Sequence, residues 1–270
     1  NGKTGKLLWK SERFSPSVAK RGLVFWEGTK KDDPRIIFSN RERLISLNVK
    51  NGKPIENFGK KGKVRTGLNV TTPLIYKNNI VIVTWDRAVE VYDLLTGKIK
   101  WKLKYKINNN KRIGGTKFNN AGANSWGGIS ADINRGILYF TTGNPHFYFD
   151  GTRRPGRNKN SNSVIAVDLE NKKELWSFQE TAHDIWNLDL PAPPILTSIK
   201  KDNREIDVVV TPTKRSNTLI LDRMSGDPIF DFKYKKAPAS KLRGEKTSLY
   251  QADIKIPEPF GENIFEFNQL

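Results

Sequence analysis

Residues 183–194 read HDIWNLDLPAPP and gather one of the chain's two histidines, two carboxylates, a tryptophan and three prolines into twelve positions. Each proline removes a backbone donor and fixes φ, so the stretch is a loop rather than an interior helix or central strand. Loops dense in His, Asp and Trp are where chemistry tends to sit, with Asp184, Asp189 and His183 as the titratable groups. His183 and His146 lack the spacing of a metal pair on one helix face, and there is no cysteine, which argues against a zinc enzyme. Each histidine is expected to hydrogen-bond to loop backbone.

A repeat supplies the elements that must hold this loop. NGKTGKLLW ends at Trp9, LISLNVKNGKPIENF starts at Leu44, VEVYDLLTGKIKW ends at Trp101, VIAVDLENKKELW ends at Trp176, and LILDRMSGDPIF ends at Phe230. Asp93, Asp168 and Asp222 each precede the closing aromatic residue by eight positions. Every copy is an alternating apolar strand, a polar turn and a second strand, the signature of a hairpin. The turn positions Gly5, Gly52, Gly97, Lys172 and Gly226 are separated by 47, 45, 75 and 54 residues. That period matches a four-stranded propeller blade, and RIIFSN, NIVIVTW, GILYFTTG and DVVVTPT supply the further strands. The predicted fold is therefore all-β, a β-propeller of four-stranded antiparallel blades with about five of an expected eight present.

The blade ending at Trp176 exceeds the period, and its extra residues fall in KINNNKRIGGTKFNNAGANSW and NPHFYFDGTRRPGRNKNSNS. Long loops without periodicity in a compact domain are usually functional, and in a propeller they gather at one end of the channel. The last stretch, IPEPFGENIFEFNQL, is expected to be an irregular connection. The chain begins inside an element and ends without a closing strand. It is therefore expected to be a partial propeller domain over residues 1–270, cut at both ends.

The net charge of +19 invites a nucleic-acid partner. The lysines, however, are spread over turns along the whole chain with no basic helix and no nucleic-acid motif, so no specific nucleic-acid partner is expected. No run of 18 apolar residues occurs, so nothing within these residues is expected to span a membrane as a helix.

Three loop segments share one expected face: NSWGGISAD with YFTTGNP, HDIWNLDLPAPP, and TPTKRSNTLILDR. With the repeats, they resemble the pyrroloquinoline-quinone (PQQ)-dependent dehydrogenases, especially the glucose, quinate and shikimate branch. The resemblance covers essentially the whole chain and rests on motifs in the family's order and spacing. Trp126 lies eighteen residues before Asn144, and Lys214 lies 27 after Asn187.

The resemblance implies a quinone stacked on Trp126, with Asn124 among its contacts and Lys214 at the reacting oxygens. It implies a calcium ion, or another hard cation, held by Asn144 and by residue 187. It further implies oxidation of an alcohol, polyol or sugar, electron transfer to a quinone or cytochrome acceptor, and a periplasmic location. Attachment to the inner membrane would come only through a missing N-terminal segment.

Two departures qualify that picture. The family's general base is an aspartate at the position of Asn187, and an amide has no usable basicity near neutral pH. Asp189 is the next candidate base, with Asp184 behind it. The family's longer loop in the third repeat, which bears a metal carboxylate, is here the short VIVTWDRAVEVYD. Asp86 or Glu90 could be proposed there, and Glu90 is expected to face outward from its strand. The alternative function is a non-catalytic propeller, either a scaffold or a quinoprotein that has lost its base.

Overall fold

The computed structural model describes residues 1–12, 14, 21–107 and 122–253. The described residues form no helix and seventeen strands. The first sheet holds β1 (Val24–Trp26), β2 (Arg35–Ser39), β3 (Arg41–Asn48) and β4 (Lys63–Asn69); the second holds β5 (Leu74–Tyr76), β6 (Asn79–Thr84), β7 (Ala88–Asp93) and β8 (Ile99–Lys104). The third holds β9 (Ile129–Asp132), β10 (Ile137–Thr141), β11 (Ser163–Asp168) and β12 (Lys173–Gln179). A three-stranded sheet follows, β13 (Ile195–Lys201), β14 (Arg204–Pro212) and β15 (Thr218–Asp222), then a hairpin of β16 (Tyr234–Lys236) and β17 (Tyr250–Ala252). All neighbours pair antiparallel in sequence order, and β1, β5, β9 and β13 pack in a row from which the sheets fan out.

The core lies between sheets rather than within one. Ile37, Leu44 and Phe58 meet Ile80, Ile82 and Tyr92 between the first two sheets. Val81, Val83, Val89 and Val91 meet Leu138, Phe140, Ile165 and Val167 between the second and third. Ile137, Tyr139, Val164 and Ala166 meet Val209, Leu219 and Leu221 between the third and fourth. The middle strands are thus covered on both faces, which is why β6, β10 and β11 are runs of buried residues while the outer β8 alternates.

The turn aspartates have a local task. Asp93 Oδ1 accepts the N–H groups of Leu95 and Thr96, Asp168 Oδ1 those of Glu170 and Asn171, and Asp222 Oδ1 those of Met224 and Ser225. The closing aromatic residue of two copies, Trp9 and Trp176, docks against the turn of the next copy, whereas Phe230 is exposed. Trp9 Nε1–H donates to the Val49 carbonyl at 2.6 Å and Trp176 Nε1–H to that of Arg223 at 3.3 Å. The indoles lie over Gly52 (φ 70°) and Gly226 (φ 77°), where any Cβ would overlap the ring.

Two expectations change. In the second and fifth copies the returning strand shrinks to single bridges, Leu47 to Pro54 and Leu221 to Pro228. Proline stands where the third copy has Ile99, and it cannot donate to the ladder. Glu90 does not face outward: it is 2% exposed, paired with Lys102 at 2.6 Å and accepting the Tyr92 hydroxyl at 2.5 Å and the Gly67 N–H at 3.1 Å. The polar position of an alternating strand is buried here because the neighbouring blade covers that face. Residues 108–121 of the first inserted loop, and the closing IPEPFGENIFEFNQL, lie outside the described residues.

At the end opposite the loops of interest, Asp132 joins the third and fourth blades. Its Oδ2 pairs with Arg135 at 2.7 Å and Arg223 at 3.1 Å, and Arg135 reaches Asp207 at 2.6 Å. Burial alone would raise the Asp132 pKa, but the hydrogen bonds from Arg135 and Arg223 outweigh it and hold the value at about 2. A depressed carboxylate pKa stabilises the fold above the unfolded value and loses that contribution as pH falls through the folded one. Asp132→Asn is expected to cost roughly 2 kcal/mol at neutral pH and to flatten the acid limb of stability between about pH 4 and 2. Urea melts across that range check it.

Candidate functional site

In an antiparallel blade the loop between the second and third strands and the connection to the next blade emerge at the same end. The segments 84–87, 122–128, 142–162, 180–194 and 213–217 are these connections. The topology alone therefore brings the three motif-bearing segments to one rim.

The loop 180–194 is built from the inside out. Asp184 is fully buried, and its carboxylate accepts the Asn162 amide at 2.8 Å and the N–H groups of Trp186 (2.8 Å) and Leu188 (2.7 Å). It braces the loop and is not placed to act as a base. Leu190 is buried in the core between the third and fourth blades. Thr141 Oγ1–H donates to the Ala192 carbonyl at 2.9 Å and Ser130 Oγ–H to that of Pro194 at 2.5 Å, pinning the proline run against the third blade. The buried Arg154 donates to the carbonyls of Phe147 and Asp184 and to Asn158 Oδ1, organising the inserted loop beneath.

His183 is 2% exposed, with Nδ1 2.7 Å from the Gly156 carbonyl and Nε2 3.4 Å from Glu245 Oε1. It has the expected backbone partner and a carboxylate besides. Among the described residues, the His146 ring meets those of Phe147 and Tyr148.

Around Asp189 four of the predicted residues converge. Asp189 Oδ1 accepts the Asn144 N–H at 2.6 Å, and Oδ2 pairs with Lys214 Nζ at 2.9 Å. Lys214 also donates to the Asn187 carbonyl at 3.0 Å and stands 5.8 Å from the centre of the Trp126 ring. Gly143 makes this approach possible, because a Cβ there would overlap Asp189 Oδ1 and lie 3.1 Å from Trp126 Nε1. Asn187 has φ 61°, a left-handed conformation that Asn and Asp adopt more readily than other side chains. Asn124 sits behind, buried, donating its amide to the Trp85 carbonyl while its own carbonyl accepts the Gly143 N–H at 2.9 Å.

Arg21 was not legible as a site residue. Its guanidinium carbon lies 5.0 Å from the Trp126 ring centre, and its carbonyl accepts the Thr72 hydroxyl at 2.7 Å. A cleft of about 380 Å³ opens there, lined by Arg21, Thr71, Thr72, Gly127, Gly128 and Pro193 among others. The only signal in the sequence was an Arg-Gly pair ahead of a strand, too common to single out.

The arrangement offers an indole with two cations near its ring, Arg21 and Lys214, an apt neighbourhood for a flat anionic molecule. For a hard cation it offers fewer oxygens. Asn144 is 3% exposed and, among the described residues, its amide nitrogen has no hydrogen-bond partner. Asp189 is the carboxylate beside it. Asp86 is committed to Thr84 Oγ1 at 2.5 Å and Lys102 at 3.3 Å, and Glu90 to Lys102. Among the described residues no three His, Asp or Glu side chains gather as a metal shell.

A family model described as "PQQ: Glucose/ethanol/alcohol dehydrogenase, beta-propeller domain" matches residues 1–268. The chain is 28% identical over 293 residues to quinoprotein glucose dehydrogenase A of Acinetobacter calcoaceticus, covering 90% of this chain and 36% of that protein. It is 26% identical over 314 residues to the quinate/shikimate dehydrogenase (quinone) of Acinetobacter baylyi, covering 97% and 39%. The quinohemoprotein alcohol dehydrogenase of Comamonas testosteroni has the same fold, with a TM-score of 0.63, 21% identity, and coverage of 86% of this chain and 38% of that one. The chain thus spans little more than a third of the length of these proteins.

Proposed function

This chain belongs to the PQQ glucose/ethanol/alcohol dehydrogenase β-propeller family, and from that premise we propose that it is the quinone-seating part of an oxidoreductase acting on CH–OH groups of an alcohol, polyol or sugar. The remaining blades belong, on this reading, to a longer protein, as the partial coverage of the relatives suggests. The observation that carries the proposal is the convergence of Trp126, Lys214, Asp189 and Asn144 on one spot at the rim.

When bound, PQQ would supply the acceptor for a hydride equivalent from the substrate carbon, and the hydroxyl proton would have to go to a base. Trp126 supplies the flat apolar seat. Arg21 and Lys214 flank it with positive charge, matching the carboxylates and reactive oxygens of such a cofactor. Asn144 would present an amide oxygen to a calcium ion or another hard cation, with Asp189, which binds the Asn144 N–H, and Asn187 as further oxygen donors. Asp189 positions: one oxygen fixes the Asn144 backbone and the other fixes Lys214. Asn187 can orient a substrate hydroxyl but cannot take its proton. On this reading the electrons would leave to a quinone or cytochrome acceptor, with the protein in the periplasm.

Asn187 specifically favours a second reading, a quinoprotein-derived propeller that binds its cofactor and turns over poorly or not at all. Dye reduction by the full-length protein, reconstituted with PQQ and calcium and offered a panel of alcohols and sugars, tests the catalytic reading. Turnover with any of them supports it; cofactor binding without turnover selects the second.

A further inference from the structure

We infer that Glu180 is the positioning residue that sets Lys214 over the indole, by gripping both ends of the turn that carries it. The inference rests on the proposed role of Lys214 at the quinone. Glu180 is fully buried at the exit of β12. Its Oε1 accepts the Thr213 hydroxyl at 2.8 Å and the Asn217 amide at 3.4 Å, the first and last residues of the turn Thr-Lys-Arg-Ser-Asn. The turn is closed by the Thr213 N–H donating to the Asn217 carbonyl at 2.8 Å, with Ser216 at φ 58°. Thr213 Oγ1 in addition accepts the Arg215 N–H at 3.3 Å, so its proton is left to point at Glu180.

Glu180 is itself anchored, its N–H donating to the Asn162 carbonyl at 3.0 Å, and Asn162 is the residue that binds Asp184 and the Leu188 carbonyl. One buried carboxylate therefore ties the Lys214 turn to the same brace that shapes the loop bearing Asn187 and Asp189. Its second oxygen, Oε2, is buried and among the described residues has no partner, an arrangement costly enough to need a reason. Burial also raises the Glu180 pKa above the ordinary glutamate value. Holding Lys214 in register supplies that reason.

The test compares Glu180→Ala, Glu180→Gln, Lys214→Met and the Ala/Met double variant, each confirmed folded by circular dichroism. Limited trypsin digestion at Lys214 and Arg215 reads the turn directly and needs no cofactor. Glu180→Ala should be cut about tenfold faster than wild type, because the turn opens locally. Glu180→Gln, whose amide oxygen still accepts from Thr213 and Asn217, should stay within about twofold. In PQQ titrations Glu180→Ala and Lys214→Met should each bind about tenfold more weakly, and the double variant no more weakly than Lys214→Met, as expected of residues acting through one another. Unchanged cleavage of folded Glu180→Ala, or losses of affinity that multiply in the double variant, overturns the inference. Failure of the wild type to bind PQQ counts against the proposed function and leaves the digestion result to judge Glu180.

Discussion

Asn187→Asp raises turnover of the reconstituted protein by about 100-fold or more, the effect of supplying a general base where none stands. The substitution is isosteric, and φ 61° at this position suits aspartate as well as asparagine. Neither the loop nor its braces need move: Asp184 holds the N–H groups of Trp186 and Leu188, and Lys214 binds the carbonyl of residue 187, not its side chain. Steady-state dye reduction at saturating PQQ and calcium measures the change, which falls in kcat because the base acts in the chemical step. An unchanged kcat with cofactor bound means that the missing base is not the only defect. Asp189 does not substitute for it, since both its oxygens already accept from Asn144 and Lys214.

Lys214→Met has the second large effect, and it acts on two levels. In the Asn187→Asp background it lowers kcat about 100-fold, the usual consequence of removing one charge aimed at developing negative charge. It also destabilises the fold, because Asp189, with a side chain 10% exposed, loses its counter-ion. The loss is about 1–2 kcal/mol rather than the full value for a buried pair, since Lys214 is 34% exposed and Asp189 keeps the Asn144 N–H. Urea melts of the single variant give the stability term, and kcat of the double variant gives the chemical one. Lys214→Met with undiminished kcat removes the lysine from the reaction.

Much of this architecture was legible in the residues. The turn aspartates, the period and the aromatic at the end of each copy placed the strands, because a hairpin needs only local signals. The rim location of Trp126, Asn144, Asn187 and Lys214 followed from connectivity, since antiparallel strands send alternate loops to the same end. What stayed hidden depended on neighbours in space. Glu90 looked outward because alternation reports two faces of a strand but not which faces another blade covers; only its pairing with Lys102 and Tyr92 makes its burial tolerable. Pro54 and Pro228 could have warned that two return strands would shrink to bridges. Arg21 and Glu180 gave no distinctive local pattern, and their importance lies in contacts with Trp126 and the Lys214 turn, far away in sequence.

Lys214 and Asp189 also reshape the meaning of HDIWNLDLPAPP. Its prolines and Leu190 fasten the loop to the third blade, its first aspartate is a brace, and its second is an anchor for the lysine. On the proposed reading, the position where proton chemistry is called for holds an amide.

The most direct measurement is an equilibrium titration of tryptophan fluorescence with PQQ in the presence of calcium, for the wild type and for Trp126→Phe. The quinone seated on Trp126 predicts saturable quenching in the wild type, and in Trp126→Phe both a smaller amplitude and a weaker affinity, by about tenfold for the loss of the larger stacking face. No quenching of the wild type, or identical curves for the two proteins, contradicts the account.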